Sequence, residues 1–111
     1  MLVAGGGQYT ATAELYDPAT NRWTSTGSMH IGRVGATGTL LRDGRVLVVG
    51  GNSLQGVQAS VELFDPATGR WALTGNLHTP SWVHTATRLQ DGTVLVAGGL
   101  GLNGYPRNAE L

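Results

Sequence analysis

The decapeptide Glu14-Leu15-Tyr16-Asp17-Pro18-Ala19-Thr20-Asn21-Arg22-Trp23 returns 48 residues later as Glu62-Leu63-Phe64-Asp65-Pro66-Ala67-Thr68-Gly69-Arg70-Trp71. At that offset, residues 14–51 and 62–99 are identical at 21 of 38 positions, so the chain is a repeat array. Leu2-Val3-Ala4-Gly5-Gly6, Leu47-Val48-Val49-Gly50-Gly51 and Leu95-Val96-Ala97-Gly98-Gly99 reveal a third register. Ala109-Glu110-Leu111 falls on the same grid as Ala13-Glu14-Leu15. A unit of this size cannot bury both its faces by itself, so its neighbours must cover them.

Each unit reads as four short strands, a to d. Strand a covers 34–41 and 82–89, where Thr37/Thr39 and Thr85/Thr87 alternate with other residues. Strand b covers 45–49 and 93–97 and is apolar at almost every position, the pattern of a strand buried on both faces. Strand c covers 12–16 and 60–64; there Val61 and Leu63 share one face, Glu62 and Phe64 the other. Strand d carries Trp23 or Trp71. Asp43-Gly44 and Asp91-Gly92 stand between a and b and predict two-residue type I′ hairpins, with positive φ at both central positions. Between c and d, Asp-Pro-Ala-Thr is followed by Asn21 in one copy and Gly69 in the other. Both residue types tolerate a left-handed backbone, so their exchange points to one such site. The chain divides into a partial unit b-c-d at 1–26, a complete unit a-b-c-d at 34–74 and a partial unit a-b-c at 82–111. The expected fold class is all-β, built of antiparallel four-stranded blades of a β-propeller.

A hydrophobic strand ending in a double glycine is followed by two aromatics seven residues apart: Gly5-Gly6 with Tyr16 and Trp23, Gly50-Gly51 with Phe64 and Trp71. The third unit has Gly98-Gly99, and the sequence stops before its aromatics. This pattern resembles the kelch repeat. The wording around His84-Thr85-Ala86-Thr87 and Val94-Leu95-Val96-Ala97 is similar to bacterial kelch and galactose-oxidase-like propellers. The resemblance implies a closed ring, commonly of about six or seven blades. Members are mostly binding scaffolds, with a minority of enzymes such as copper radical oxidases and sialic acid epimerases; extracellular or periplasmic placement is implied as well. Two and a half units do not close a ring. The expectation is therefore a homo-oligomer, or the remaining blades of a larger propeller, as the partner that covers the open ends.

Composition removes several functions. Seven Arg balance seven Asp and Glu, giving zero formal charge and leaving no electrostatic footprint for nucleic acid. No apolar run reaches the roughly 20 residues of a membrane span, and the opening residues lack the charged segment of a signal peptide. Without cysteine there is no disulfide, no thiol catalysis, and no tyrosine–cysteine cross-link of the copper radical oxidase kind within the chain. Without lysine there is no amine chemistry.

Recurrence separates structure from function in what is left. Gly99-Leu100-Gly101-Leu102-Asn103-Gly104 spells a dinucleotide fingerprint, but no helix pattern follows it, and the same slot in other units is a loop. The double glycines occur at the same place in three units, which favours close backbone packing over a phosphate cradle. His30 and His78 are repeat-equivalent and read as turn or inter-unit hydrogen-bonding groups; His84 stands opposite Ala36 and reads as structural. Glu14, Glu62 and Glu110 recur on strand c, with Arg22 and Arg70 as candidate partners. The recurring Tyr16, Trp23, Phe64 and Trp71 read as core. Neither a cofactor nor a metal site is expected, and no catalytic constellation is visible.

The a–b and c–d turns, tight and nearly constant, share one face of the array, while the b–c and d–a connections, which vary, share the other. Variable loops on a rigid scaffold are the usual place for recognition. The ligand surface expected from this is Gln8, Tyr9, Arg33, Asn52, Gln55, Trp82, Asn103, Tyr105 and Arg107. Aromatic and amide groups of this kind suit a carbohydrate or a protein ligand. The function expected is a non-enzymatic scaffold presenting that face. The alternative is a portion of a galactose-oxidase-like or epimerase-like propeller enzyme whose catalytic groups lie mostly in other blades.

Overall fold

A computed structural model describes residues 1–5, 9–78, 80–98 and 109–110. Strands β1 (Leu2–Ala4), β2 (Ala13–Asp17) and β3 (Arg22–Thr26) form one antiparallel sheet. A second holds β4 (Thr37–Leu40), β5 (Val46–Val49), β8 (Val61–Asp65) and β9 (Arg70–Thr74), interrupted by the small hairpin β6 (Asn52–Ser53) and β7 (Gly56–Val57). A third holds β10 (Thr85–Arg88), β11 (Val94–Ala97) and β12 (Ala109–Glu110). The described residues are all-β with antiparallel pairing, as the alternation predicts. The strands a are shorter than expected, because Val34 already bridges to Asn52 and Val83 has a positive φ of 55°.

Register follows from which side chains need cover. Val48 stands opposite Glu62, Val46 opposite Phe64, and Phe64 opposite Trp71, so these share one face of the four-stranded sheet. Val49 opposite Val61 and Leu47 opposite Leu63 share the other. The first face packs against the β1–β3 sheet, in a core of Ala13, Met29, Val48, Phe64 and Trp71 with Leu2, Ala4 and Leu15 at its margin. The second packs against the third sheet through Val49, Val61 and Val96. Three sheets thus stack in chain order, with each face of the middle sheet covered by a neighbouring unit.

The c–d turns behave as predicted. The Asp17 carboxylate accepts from the Ala19 amide, its carbonyl accepts from the Asn21 amide, and Asn21 sits at φ 57°. Asp65, Ala67 and Gly69 repeat this arrangement, with Gly69 at φ 69°. The a–b turns depart from the type I′ expectation. Leu41 pairs with Arg45 across a three-residue loop, and φ is positive at Gly44 (91°) and not at Asp43. This is a type I turn closed by a glycine bulge. Its exposed Asp43 carboxylate accepts from the Arg45 amide and, at 2.7 Å, from the Arg45 guanidinium. Those bonds hold the Asp43 carboxyl below its ordinary range, and the Thr93 hydroxyl and amide do the same for Asp91.

The double glycine has the packing role inferred for it. A methyl group on Gly50 would run into the Ser81 carbonyl oxygen and lie 2.9 Å from the His84 ring. The connection leading into the third sheet crosses here, so the two units meet backbone to backbone.

Candidate functional site

The connection from β3 to β4 crosses to the second sheet and wraps around one carboxylate. Glu62, on β8, is fully buried. Its Oε1 accepts from the His30 amide at 2.6 Å and lies 3.0 Å from His30 Nδ1. Its Oε2 accepts from the Ile31 amide at 3.1 Å and from Arg33 Nη2 at 2.8 Å. Arg33 is itself 2% exposed. Its other donors reach the carbonyls of Ile31, Gly50 and Ser60 and the Ser60 hydroxyl. All five guanidinium N–H groups therefore have acceptors, which is the condition for burying this group.

That geometry corrects two expectations. Arg33 belongs to the interior, beneath the loop face, and has no donor left for a ligand. The partner of the strand-c carboxylate is Arg33 from the preceding connection, not Arg70, which stands opposite Asp65 on the neighbouring strand. Glu14, at the equivalent position of the preceding repeat, is exposed. The His30 reading holds: it makes an inter-unit hydrogen bond, with its ring half exposed.

Above this cluster the loop face forms a cleft of about 170 Å³, lined by Tyr9, His30, Ile31, Gly32, Ser53, Leu54 and Gln55. Tyr9 is held at φ 58°. The β6–β7 hairpin is braced from within: Ser53 Oγ donates to the Gly56 carbonyl and accepts from the Gln55 amide and the Gln58 side chain. Gln58 in turn accepts from Ser60 Oγ, which also accepts from Arg33. One chain of hydrogen bonds thus links the floor of the cleft to its rim. With Nδ1 on Glu62, the His30 ring is oriented by a buried carboxylate and half open to the cleft. The arrangement offers a phenol, an amide and an oriented imidazole to a polar, hydroxyl-bearing molecule, beside the apolar Leu54 at the tip.

Of the expected surface, Tyr9 and Gln55 line this cleft, and Asn52 adjoins it as the first residue of β6. Trp82 lies elsewhere: its ring packs over Gly35, where a methyl group would come within 2.9 Å of it. Gln8, Asn103, Tyr105 and Arg107 lie outside the described residues. His30 and Leu54 were not among the expected ligand residues; recurrence had assigned His30 to structure, although a half-exposed ring serves both roles.

His84 is buried, with Nε2 2.9 Å from Thr37 Oγ1 and no hydrogen-bond partner at Nδ1. Burial pushes the imidazole below the usual histidine value, and the carbonyls of Val49 and Ser81 only partly offset this. The ring is neutral packing between β4 and β10.

No protein-family profile and no curated protein matches the chain. Among solved structures, a fungal alcohol oxidase with catalytic diversity among the AA5 family, in complex with copper, superimposes with a TM-score of 0.76 at 30% identity. The match covers 91% of this chain and 24% of that one, so the chain spans about a quarter of the oxidase. The stacked antiparallel sheets therefore have a galactose-oxidase-like structural neighbour. This corrects the expectation of a non-enzymatic chain: the protein it resembles is an enzyme. Copper finds no donor set here, since among the described residues no three His, Cys, Asp or Glu side chains converge and the sequence has no cysteine.

Proposed function

We propose that the chain forms consecutive kelch-like blades of a galactose-oxidase-like propeller and serves an alcohol oxidase as one sector of its ring. The observation that carries this reading is the superposition with the AA5 enzyme across nearly the whole chain. The 48-residue period and the face-to-face stacking of successive sheets support it, because a ring needs units that cover each other in sequence. The copper ligands come from other sectors. This sector contributes a stretch of loop face, where Tyr9, His30 and Gln55 hydrogen-bond hydroxyl groups of an alcohol substrate and Leu54 packs against its carbon skeleton. The Arg33–Glu62 pair keeps that face rigid.

Replacing the matching quarter of the fungal oxidase with residues 1–111 tests the reading. The chimera is expected to load copper and oxidise alcohols, with KM rather than copper loading changed by Tyr9→Phe and Gln55→Ala. A chimera that fails to fold or to load copper overturns it.

A further inference from the structure

The hydrogen bonds beneath the loop-face cleft run in one direction, and that direction fixes which nitrogen of His30 is left for a ligand. Glu62 receives the backbone amides of His30 and Ile31 and the Arg33 guanidinium, so both of its oxygens act as acceptors. The His30 Nδ1, 3.0 Å from Oε1, therefore carries a proton. A neutral imidazole protonated there has a lone pair and no hydrogen on Nε2. A free histidine side chain prefers the opposite tautomer, so the carboxylate reverses an intrinsic preference. Among the described residues Nε2 has no hydrogen-bond partner, and the half-exposed ring lines the cleft.

The same direction uses up the donors of the rim. Arg33 Nη2 donates to Ser60 Oγ, so the Ser60 proton goes to Gln58 Oε1. Gln58 Nε2 donates to Ser53 Oγ, whose own proton goes to the Gly56 carbonyl. With the backbone N–H of Gln55 also on Ser53 Oγ, that hydroxyl is fully occupied. Of the polar side chains lining the cleft, Tyr9, His30 and Gln55 are left for a ligand, and the neutral His30 ring can only accept.

We infer that His30 Nε2 sets the specificity of this cleft: it accepts a hydrogen bond from a hydroxyl group of the ligand, so the cleft takes polyols with free hydroxyls and rejects their ethers. An ether oxygen brings only lone pairs and meets the Nε2 lone pair with no proton between them, whereas a hydroxyl supplies that proton. Glu62 is a positioning residue that acts through the His30 ring, and Arg33 sets the polarity of both branches of the network. The inference deepens the reading of the cleft as a substrate contact and rests on it, while the tautomer behind it is a property of this chain alone.

Two measurements on the full chain test it. Long-range proton–nitrogen correlation spectra in mildly alkaline buffer read the tautomer of each imidazole, with His30→Phe identifying the His30 signals. His30 is expected with a protonated Nδ1 and a bare Nε2. In Glu62→Gln, whose side-chain amide can donate to Nδ1, the proton is expected on Nε2 while the His84 signals keep their wild-type positions, which shows that the fold is intact. The second measurement is a titration with glycerol and, separately, with its trimethyl ether, which has the same carbon skeleton and no donor. Glycerol alone is expected to move the His30 Nε2 resonance. His30→Phe, which keeps a ring and loses the acceptor, is expected to weaken glycerol binding about tenfold, read from the Gln55 amide signal. A wild-type His30 protonated at Nε2, no response to glycerol, an equal response to the ether, or undiminished binding by His30→Phe would each overturn the inference. A chimeric oxidase that loads copper beside any of these results leaves the sector reading standing and removes this one; a chimera without copper beside the expected tautomer and glycerol response does the reverse.

Discussion

Arg33→Met is the most informative single change. It keeps an unbranched side chain of similar length and removes the buried guanidinium from a carboxylate that has no solvent exposure. Glu62 then keeps two backbone amides and the His30 ring, and the Gly50 and Ser60 carbonyls lose a donor each. Breaking a buried ion pair from one side costs about 3–5 kcal/mol, because the remaining charge stays desolvated. A chain of this length has a total stability of roughly 5–15 kcal/mol, so the variant loses a large share of it. Arg70→Met, on an exposed residue of the same type, is the control and should stay within about 0.5 kcal/mol of wild type. Urea unfolding followed by tryptophan fluorescence, at one fixed protein concentration, reads both. Adding Glu62→Gln to Arg33→Met removes the stranded charge and should restore about 2 kcal/mol or more. If Arg33→Met and Arg70→Met cost the same, or the second change restores nothing, the carboxylate is not held by a buried pair and the reasoning fails.

Two further outcomes follow from backbone and titration. Gly69→Ala places a side chain at φ 69° and should cost about 1–2 kcal/mol, with Gly69→Asn, the residue of the equivalent Asn21, costing less; equal unfolding midpoints for the two would contradict the left-handed requirement. His84 has a folded pKa below its unfolded value of 6.5, so the unfolded chain takes up the proton first. Its contribution is complete above that value and declines as the pH falls through it toward the folded pKa, and His84→Gln should flatten urea midpoints measured from pH 7 downward.

Much of this molecule is legible in the sequence, because the governing forces are local. Period-two alternation sets which side chains share a sheet face, so the pairing of Val49 with Val61 and of Phe64 with Trp71 follows from the pattern. The exchange of Asn21 for Gly69 marks a left-handed residue from the sequence alone. Asp-Gly marks the a–b turn but not its length, since Arg42 joins the loop and the glycine becomes a bulge. The candidate cleft was legible only in part. Tyr9 and Gln55 were found because they sit on variable loops, while His30 was set aside because it recurs. The oxidase relationship was legible only as an alternative, because the sequence has no cysteine and displays no catalytic constellation of its own.

The sequence by itself determined the repeat, the strand pairing and the conformation of the c–d turns, all of which depend on residues close together along the chain or on side-chain alternation. Only the tertiary structure decided which of two identical residues is interior. Glu14 and Glu62, and Trp23 and Trp71, hold equivalent repeat positions in opposite environments, because burial depends on whether another unit stacks on that face. The same holds for Arg33, whose loop position suggested exposure. Its burial follows from the connection folding down across Gly50 and Ser60 to reach Glu62, 29 residues away.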